Sequence, residues 1–250
     1  MTDDAALGFG DVAASYADLR PSYPKELFDF LESHLEGPRR LAVDLGAGPC
    51  KASIDLAVRF ERVAAVEADA RMLAAAPRAA RIDRINCAAE AAAFPAGSVD
   101  CVIAATAFHW MEQDVVCAKV AQWLRPGGVF FPFLYGPFFV SGPAEAAFAR
   151  HWALWAPHMD KRLGAKADYS RAMKACGAFK GLSTFSMTME KPMAPADAAG
   201  LFLTASYARV YMATNNLGED YRYQLANELA AFGEIPVNFP LGGILGVRSD

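Results

Sequence analysis

Val43-Asp-Leu-Gly-Ala-Gly-Pro-Cys50 carries a short apolar run into a turn with two glycines and on toward a helix-like stretch. Gly46 and Gly48 let the backbone bend tightly and approach a ligand, because no Cβ stands in the way. The first N–H groups of a following helix have no partner within it and face whatever occupies the turn. As a dinucleotide fingerprint G-x-G-x-x-G the segment fails, since position 51 is lysine. A tight turn with no ligand is the plainer alternative. Glu67 closes the next apolar run, 21 residues after Gly46, where a carboxylate can accept both hydroxyls of an adenosine ribose. By itself it would be an ordinary solvated strand end; the glycine turn before it favours the ribose role. His109-Trp110 follows a further apolar run and sets an imidazole that titrates near neutral pH beside a broad aromatic face.

These residues need strands to hold them, and the pattern supplies strands alternating with helices. A helix is expected from Pro24, with Leu27, Phe28, Phe30 and Leu31 at helical spacing. Buried strands are expected at 41–45, 63–66, 85–87, 99–105 and 129–134, with helices over 51–60, 69–76 and 115–124. That rhythm predicts a doubly wound, mostly parallel sheet with right-handed crossovers. After residue 136 it changes: consecutive helices over 142–180, a strand at 182–189, helices at 195–213 and 218–232, and a last strand within 236–247. The expectation is an α/β protein with seven strands and an inserted helical cap. Its parts are a lid and core over 1–136, a cap over 137–215, and a last helix and strand over 216–250. In such sheets ligands bind outside the carboxyl ends of the strands, where the strand order reverses.

The chain has 250 residues, 54% of them hydrophobic, with 17 Phe and a formal net charge of −4. That is enough apolar matter for a large core and excludes a disordered chain. The net charge argues against a nucleic-acid-binding face covering the protein. Cys50, Cys87, Cys101, Cys117 and Cys176 are scattered without a C-x-x-C pair, as buried thiols in a reducing compartment would be. With no apolar signal core after the acidic Met1-Thr-Asp-Asp and no run long enough to span a bilayer, a cytoplasmic protein without membrane contact is expected. The four histidines lack ligand spacing, so no metal site is expected.

Taken together, the segments resemble a known family. They are Tyr16-Ala-Asp-Leu-Arg-Pro-Ser-Tyr-Pro24, the Asp44-x-Gly-x-Gly turn, Val66-Glu-Ala-Asp-Ala-Arg-Met-Leu73, Ala89-Glu90, Phe94-Pro-Ala-Gly-Ser-Val-Asp100, Phe108-His-Trp110 and Leu124-Arg-Pro-Gly-Gly128, with a fainter echo in Thr204-Ala-Ser-Tyr207. In order and spacing they are similar to class I S-adenosylmethionine-dependent methyltransferases, of the type 11 group that contains trans-aconitate methyltransferase. The resemblance implies a Rossmann-like fold, S-adenosylmethionine as cofactor and S-adenosylhomocysteine as product.

It also implies roles residue by residue. Gly46 and Gly48 would underlie the methionine part of the cofactor, with Asp44 holding its amino group directly or through water. Glu67, followed by Ala68, would grip the ribose. Met72 would pack on the adenine, and Ala89 and Glu90 would read its edge. Ala105 and Thr106 would sit beside the methionine moiety, and Tyr16 and Arg20 would belong to a lid. The family has a third glycine where this chain has Cys50, whose side chain would crowd the cofactor or push the helix back; Lys51 would offset this by pairing with the cofactor carboxylate, or would be solvated. His109 and Trp110 fall where such enzymes place the reacting methyl. Trp110 would wall the site, and His109 would orient or deprotonate an acceptor hydroxyl. Alternatively, His109 only caps the turn and Trp110 fills the core.

From Arg150 to Lys180 the basic residues Arg150, Lys161, Arg162, Lys166, Arg171, Lys174 and Lys180 outnumber Asp160 and Asp168. An acidic small-molecule substrate would explain this, as would an acidic carrier protein or plain solvated helix faces. A monomer or homodimer is expected. A catalytically silent binding protein on the same fold is the alternative from another class.

Overall fold

The computed structural model describes residue 19, residues 21–160 and residues 169–249. In chain order its main elements are α1 (Lys25–Ser33), β1 (Leu41–Leu45), α2 (Lys51–Ala57), β2 (Arg62–Glu67), α3 (Ala70–Ala75), β3 (Ile82–Asn86), β4 (Val99–Ala105), α4 (Gln113–Trp123), β5 (Leu124–Tyr135) and β6 (Phe139–Val140). Then follow α5 (Glu145–Trp155), α6 (Ser170–Cys176), β7 (Phe179–Met193), α7 (Pro195–Leu203), α8 (Ser206–Thr214), α9 (Glu219–Ala230) and β8 (Ile235–Arg248). They fall into two compact units. Among the described residues, one comprises 22–135, 169–187 and 241–249; the other comprises 19, 21, 136–160 and 188–240.

The first unit holds the parallel strands in the order β3-β2-β1-β4-β5, with the end of β8 antiparallel to β5. β1 pairs with β2 on one side (Asp44 opposite Ala65) and with β4 on the other (Asp44 opposite Ile103). The strand order therefore reverses at β1, where the chain leaves toward β2 and later returns as β4. These strands bury both faces, as a sheet covered by helices on both sides requires. Alternate residues feed different cores: Val43 and Leu45 join Val102, Phe130 and Val120 of α4, while Ala42 joins Ile103, Phe131 and Leu31 of α1. Two of the sequence motifs serve the opposite strand ends. Asp100 accepts from the backbone N–H groups of Arg40 and Leu41 through Oδ2 and from Arg125 Nε through Oδ1 at 2.7 Å. That buried carboxylate ties the starts of β1, β4 and β5 together.

The second unit packs α5, α7, α8 and α9 with β6 and the start of β8. Phe202 of α7 lies 5.1 Å from Phe138 and 4.9 Å from Phe148, centroid to centroid. Tyr221 of α9 and His151 of α5 meet at 2.9 Å, and Glu228 of α9 reaches the other imidazole nitrogen at 3.0 Å.

The mostly parallel α/β sheet agrees with the sequence reading, but among the described residues the strand count is eight, not seven. The added strand, Phe139–Val140, pairs with Asn238 and Val237. Two residues are too few to show a period, so this stretch leaves no signature in the pattern. β7 is also longer than expected, running to 15 residues with alternating exposure.

β8 presses closely on β5. A Cβ at Gly243 would lie 2.6 Å from Phe133 Cβ and 3.0 Å from the Pro132 carbonyl oxygen, and neither can retreat from a buried strand. Gly243→Ala should therefore lower stability by about 1–3 kcal/mol, read as an earlier urea unfolding midpoint.

Candidate cofactor and active site

The glycine turn leaves β1 in a left-handed conformation, with φ of +69° at Gly46 and +53° at Gly48. Gly46 N and Ala47 N both donate to the Val66 carbonyl at 2.8 and 3.0 Å, which anchors the turn to the end of β2. Gly46 is needed for space as well as angle: a Cβ there would sit 2.4 Å from Ala107 Cβ, in the segment after β4. At Gly48 a Cβ would come 3.3 Å from Met72 Cε, so Met72, expected to contact the adenine, already closes over the turn.

Glu67 is half-buried at the end of β2. Its Oε2 accepts from Gly48 N at 2.8 Å and its Oε1 from Asp69 N at 2.9 Å. An ionised carboxylate offers about four lone-pair sites, so two are left for hydroxyl donors. Asn86 of β3 donates to the carbonyls of Glu67 and Ala68, fixing the backbone behind the carboxylate.

Asp44 is fully buried. Its Oδ2 accepts from Ser53 Oγ at 2.6 Å, while Oδ1 has no hydrogen-bond partner. Burial raises its pKa to about 7; the Ser53 hydrogen bond opposes that rise and the Glu67 charge adds to it. A buried acceptor left unmatched is costly, and a cationic donor reaching Oδ1 would remove the cost.

At the position of the missing third glycine the backbone keeps a glycine-like angle. Cys50 takes the left-handed conformation itself (φ 62°, ψ 28°) and is fully buried. It packs with Ala47, Ala65, Leu73 and Ala76, in the wedge between β2 and α3. Desolvation raises its thiol pKa to about 11, so it stays protonated and inert. Lys51 starts α2 directly after it.

Ala89 is buried and Glu90 half-buried; the Glu90 carboxylate accepts from Glu112 N at 2.8 Å, just before α4. Ala105 ends β4, and Thr106 follows it at φ +56°. Thr106 N donates to the Phe133 carbonyl at 2.7 Å, and its Oγ1 lies 3.1 Å from the Tyr23 hydroxyl. Trp110 is half-buried, but His109 is only 2% exposed, with Nδ1 3.0 Å from the Tyr169 hydroxyl. Tyr16, Arg20, Lys161, Arg162, Lys166 and Asp168 lie outside the described residues. Among the described residues no group of His, Cys, Asp and Glu is arranged to hold a metal, and no helix is long and apolar enough to cross a membrane.

Sequence reasoning missed Ser53, Tyr23 and Tyr169. Ser53 was findable: a serine three residues after Cys50 sits one turn into α2, within reach of the preceding strand end. Tyr23 lies within the quoted motif but carries no spacing signal, and Tyr169 is 60 residues from its partner.

A methyltransferase domain model matches residues 43–131. A protein of Dictyostelium discoideum that carries a methyltransferase name is 31% identical over 157 residues, 60% of this chain and 60% of its own length. An uncharacterised methyltransferase of Mycobacterium tuberculosis is 38% identical over 127 residues, 50% of this chain and 51% of its own. The chain thus spans about half to three-fifths of the length of these relatives. Among solved structures, one from Anaeromyxobacter dehalogenans with a type II methyltransferase name superposes with a TM-score of 0.76 at 28% identity, covering 91% of this chain and 97% of that one. The sheet, the glycine turn and these likenesses agree in one respect: residues 43–131 match a methyltransferase domain, carried on a mostly parallel α/β sheet.

Asp44 binds a proton more readily folded than unfolded. The resulting penalty is absent below the unfolded carboxyl pKa near 4, grows as pH rises, and is complete above about 7. Asp44→Asn should therefore stabilise the ligand-free protein more at pH 8 than at pH 5, by up to about 4 kcal/mol at the higher pH. Thermal melts at the two pH values check this.

Proposed function

We propose that this chain is an S-adenosylmethionine-dependent methyltransferase acting on a small metabolite with an acidic or hydroxyl acceptor. The observation that carries the reading is the orphaned Asp44 Oδ1 buried beside a turn whose two glycines a Cβ would obstruct. That pairing fits a ligand with an ammonium group and a flat, close-fitting body. Asp44 takes the ammonium and the lone pairs left on Glu67 take ribose hydroxyls. Met72 and Ala89 flank the adenine, with Glu90 at its rim. When bound, the cofactor supplies an electrophilic methyl on a sulfonium.

The chain's own residues hold the two reactants in line and keep water out, which is where most of the acceleration of such a displacement originates. Positive charge spreads as the methyl moves, so the aromatic faces of Trp110 and the Tyr23–Tyr135 stack suit that region better than cationic side chains. Tyr23 and Tyr135 lie 5.1 Å apart with ring planes 7° from parallel. Of the two roles considered for His109, burial and the bond to Tyr169 favour support of the turn over proton transfer. A carboxylate acceptor would need no base at all. The acidic acceptor rests on the excess of basic over acidic residues between 150 and 180 in the sequence, and the likeness to the trans-aconitate group rests on motif order.

Titration calorimetry with S-adenosylmethionine and S-adenosylhomocysteine tests the reading. The native chain should bind both below millimolar concentration, and Glu67→Ala should weaken binding about 10- to 100-fold through loss of charged hydrogen bonds. No binding by the native chain would leave a silent scaffold instead. Cys50→Gly should change either affinity by less than about threefold, under 1 kcal/mol, because its sulfur packs in the core.

A further inference from the structure

The two oxygens of Asp44 are treated unequally by this chain. Ser53 is fully buried on the first turn and a half of α2, and its hydroxyl donates to Oδ2 at 2.6 Å. Oδ1 is equally buried and has no hydrogen-bond partner. A hydroxyl has one proton to give, and here it goes to the oxygen on the helix side. We propose that Ser53 is a positioning residue of the cofactor site: it pins one carboxylate oxygen of Asp44 and leaves the other as the acceptor for an ammonium ion.

This rests on the functional reading above, since the cation is the amino group of the cofactor. A consequence follows for pH. Asp44 is desolvated on every side: Glu67 adds negative charge from β2, while Cys50 ahead of α2 and Cys101 on β4 are thiols whose raised pKa values keep them neutral. Among these groups Ser53 favours the ionised form by direct donation, its hydroxyl more strongly than its backbone N–H. The site accepts its ammonium when Asp44 is ionised, so affinity rises as pH climbs through neutrality, and Ser53 sets where that rise falls.

The test has two arms. Carbon NMR of the Asp44 side-chain carboxyl in the ligand-free protein should show the Ser53→Ala midpoint about one to two pH units above the native one, the worth of one charged hydrogen bond. Calorimetry with S-adenosylhomocysteine from pH 5.5 to 8 should show native affinity rising with pH. In Ser53→Ala it should fall about 5- to 50-fold at pH 7, with the gap closing toward pH 8. Ser53→Thr, which keeps the hydroxyl, should restore the native profile. If Ser53→Ala fails to fold, Ser53→Cys should give a smaller upward displacement of the midpoint. An unmoved midpoint, or an affinity loss equal at every pH, overturns the proposal. If the native chain binds no S-adenosylhomocysteine, the functional reading fails, while the NMR arm still decides whether Ser53 governs the Asp44 proton.

Discussion

A carboxyl group taken out of water must either keep its proton or find donors, because an ionised carboxylate without them costs several kcal/mol. Asp44 meets that constraint halfway. It sits on β1, one residue short of the strand end, with Oδ2 served by Ser53 and Oδ1 without a partner. The surrounding geometry leaves the second oxygen unmatched. β1 stops one residue later, and two glycines carry the chain past without placing a side chain over the carboxylate. The turn is hung from the Val66 carbonyl and clipped by Glu67, so its amides are held by β2.

Local strain is spent around the same strand ends. Cys50 and Thr106 both hold left-handed backbone that branched or bulky residues avoid, at a cost of about 1–3 kcal/mol each. Each is over-determined by neighbours. Cys50 has its sulfur buried among alanines and Leu73, and its N–H donates to the Ala47 carbonyl. Thr106 is gripped through its N–H by β5 and through its hydroxyl by Tyr23, which is itself stacked on Tyr135. Such strain persists where a shape is needed that relaxed backbone would not supply, and both positions border the reversal in strand order.

Much of this was legible in the residues. Parallel strands buried on both faces read as unbroken apolar runs, so 41–45 and 99–105 were found with their ends correct, and the glycine turn was seen to stand near Glu67. Residues whose importance comes from tertiary placement were not legible. Ile82–Asn86 alternates weakly and was seen only at its last residues. Phe139–Val140 exists because β8 lies alongside. His109 looked reactive because it is an imidazole beside a broad aromatic face, yet its hydrogen-bond partner is Tyr169, which precedes α6, 60 residues away. For Cys50 the residue type suggested an obstruction, and the packing of its side chain with Ala47, Ala65, Leu73 and Ala76 could not be read from the residue type.

The most direct measurement is a crystal structure with S-adenosylhomocysteine bound. The account predicts the ligand's amino nitrogen within hydrogen-bonding distance of Asp44 Oδ1, its ribose hydroxyls on Glu67, and the Cys50 sulfur still enclosed by Ala65 and Leu73. A ligand seated elsewhere, or one at the turn that leaves Asp44 Oδ1 unmatched, would contradict it.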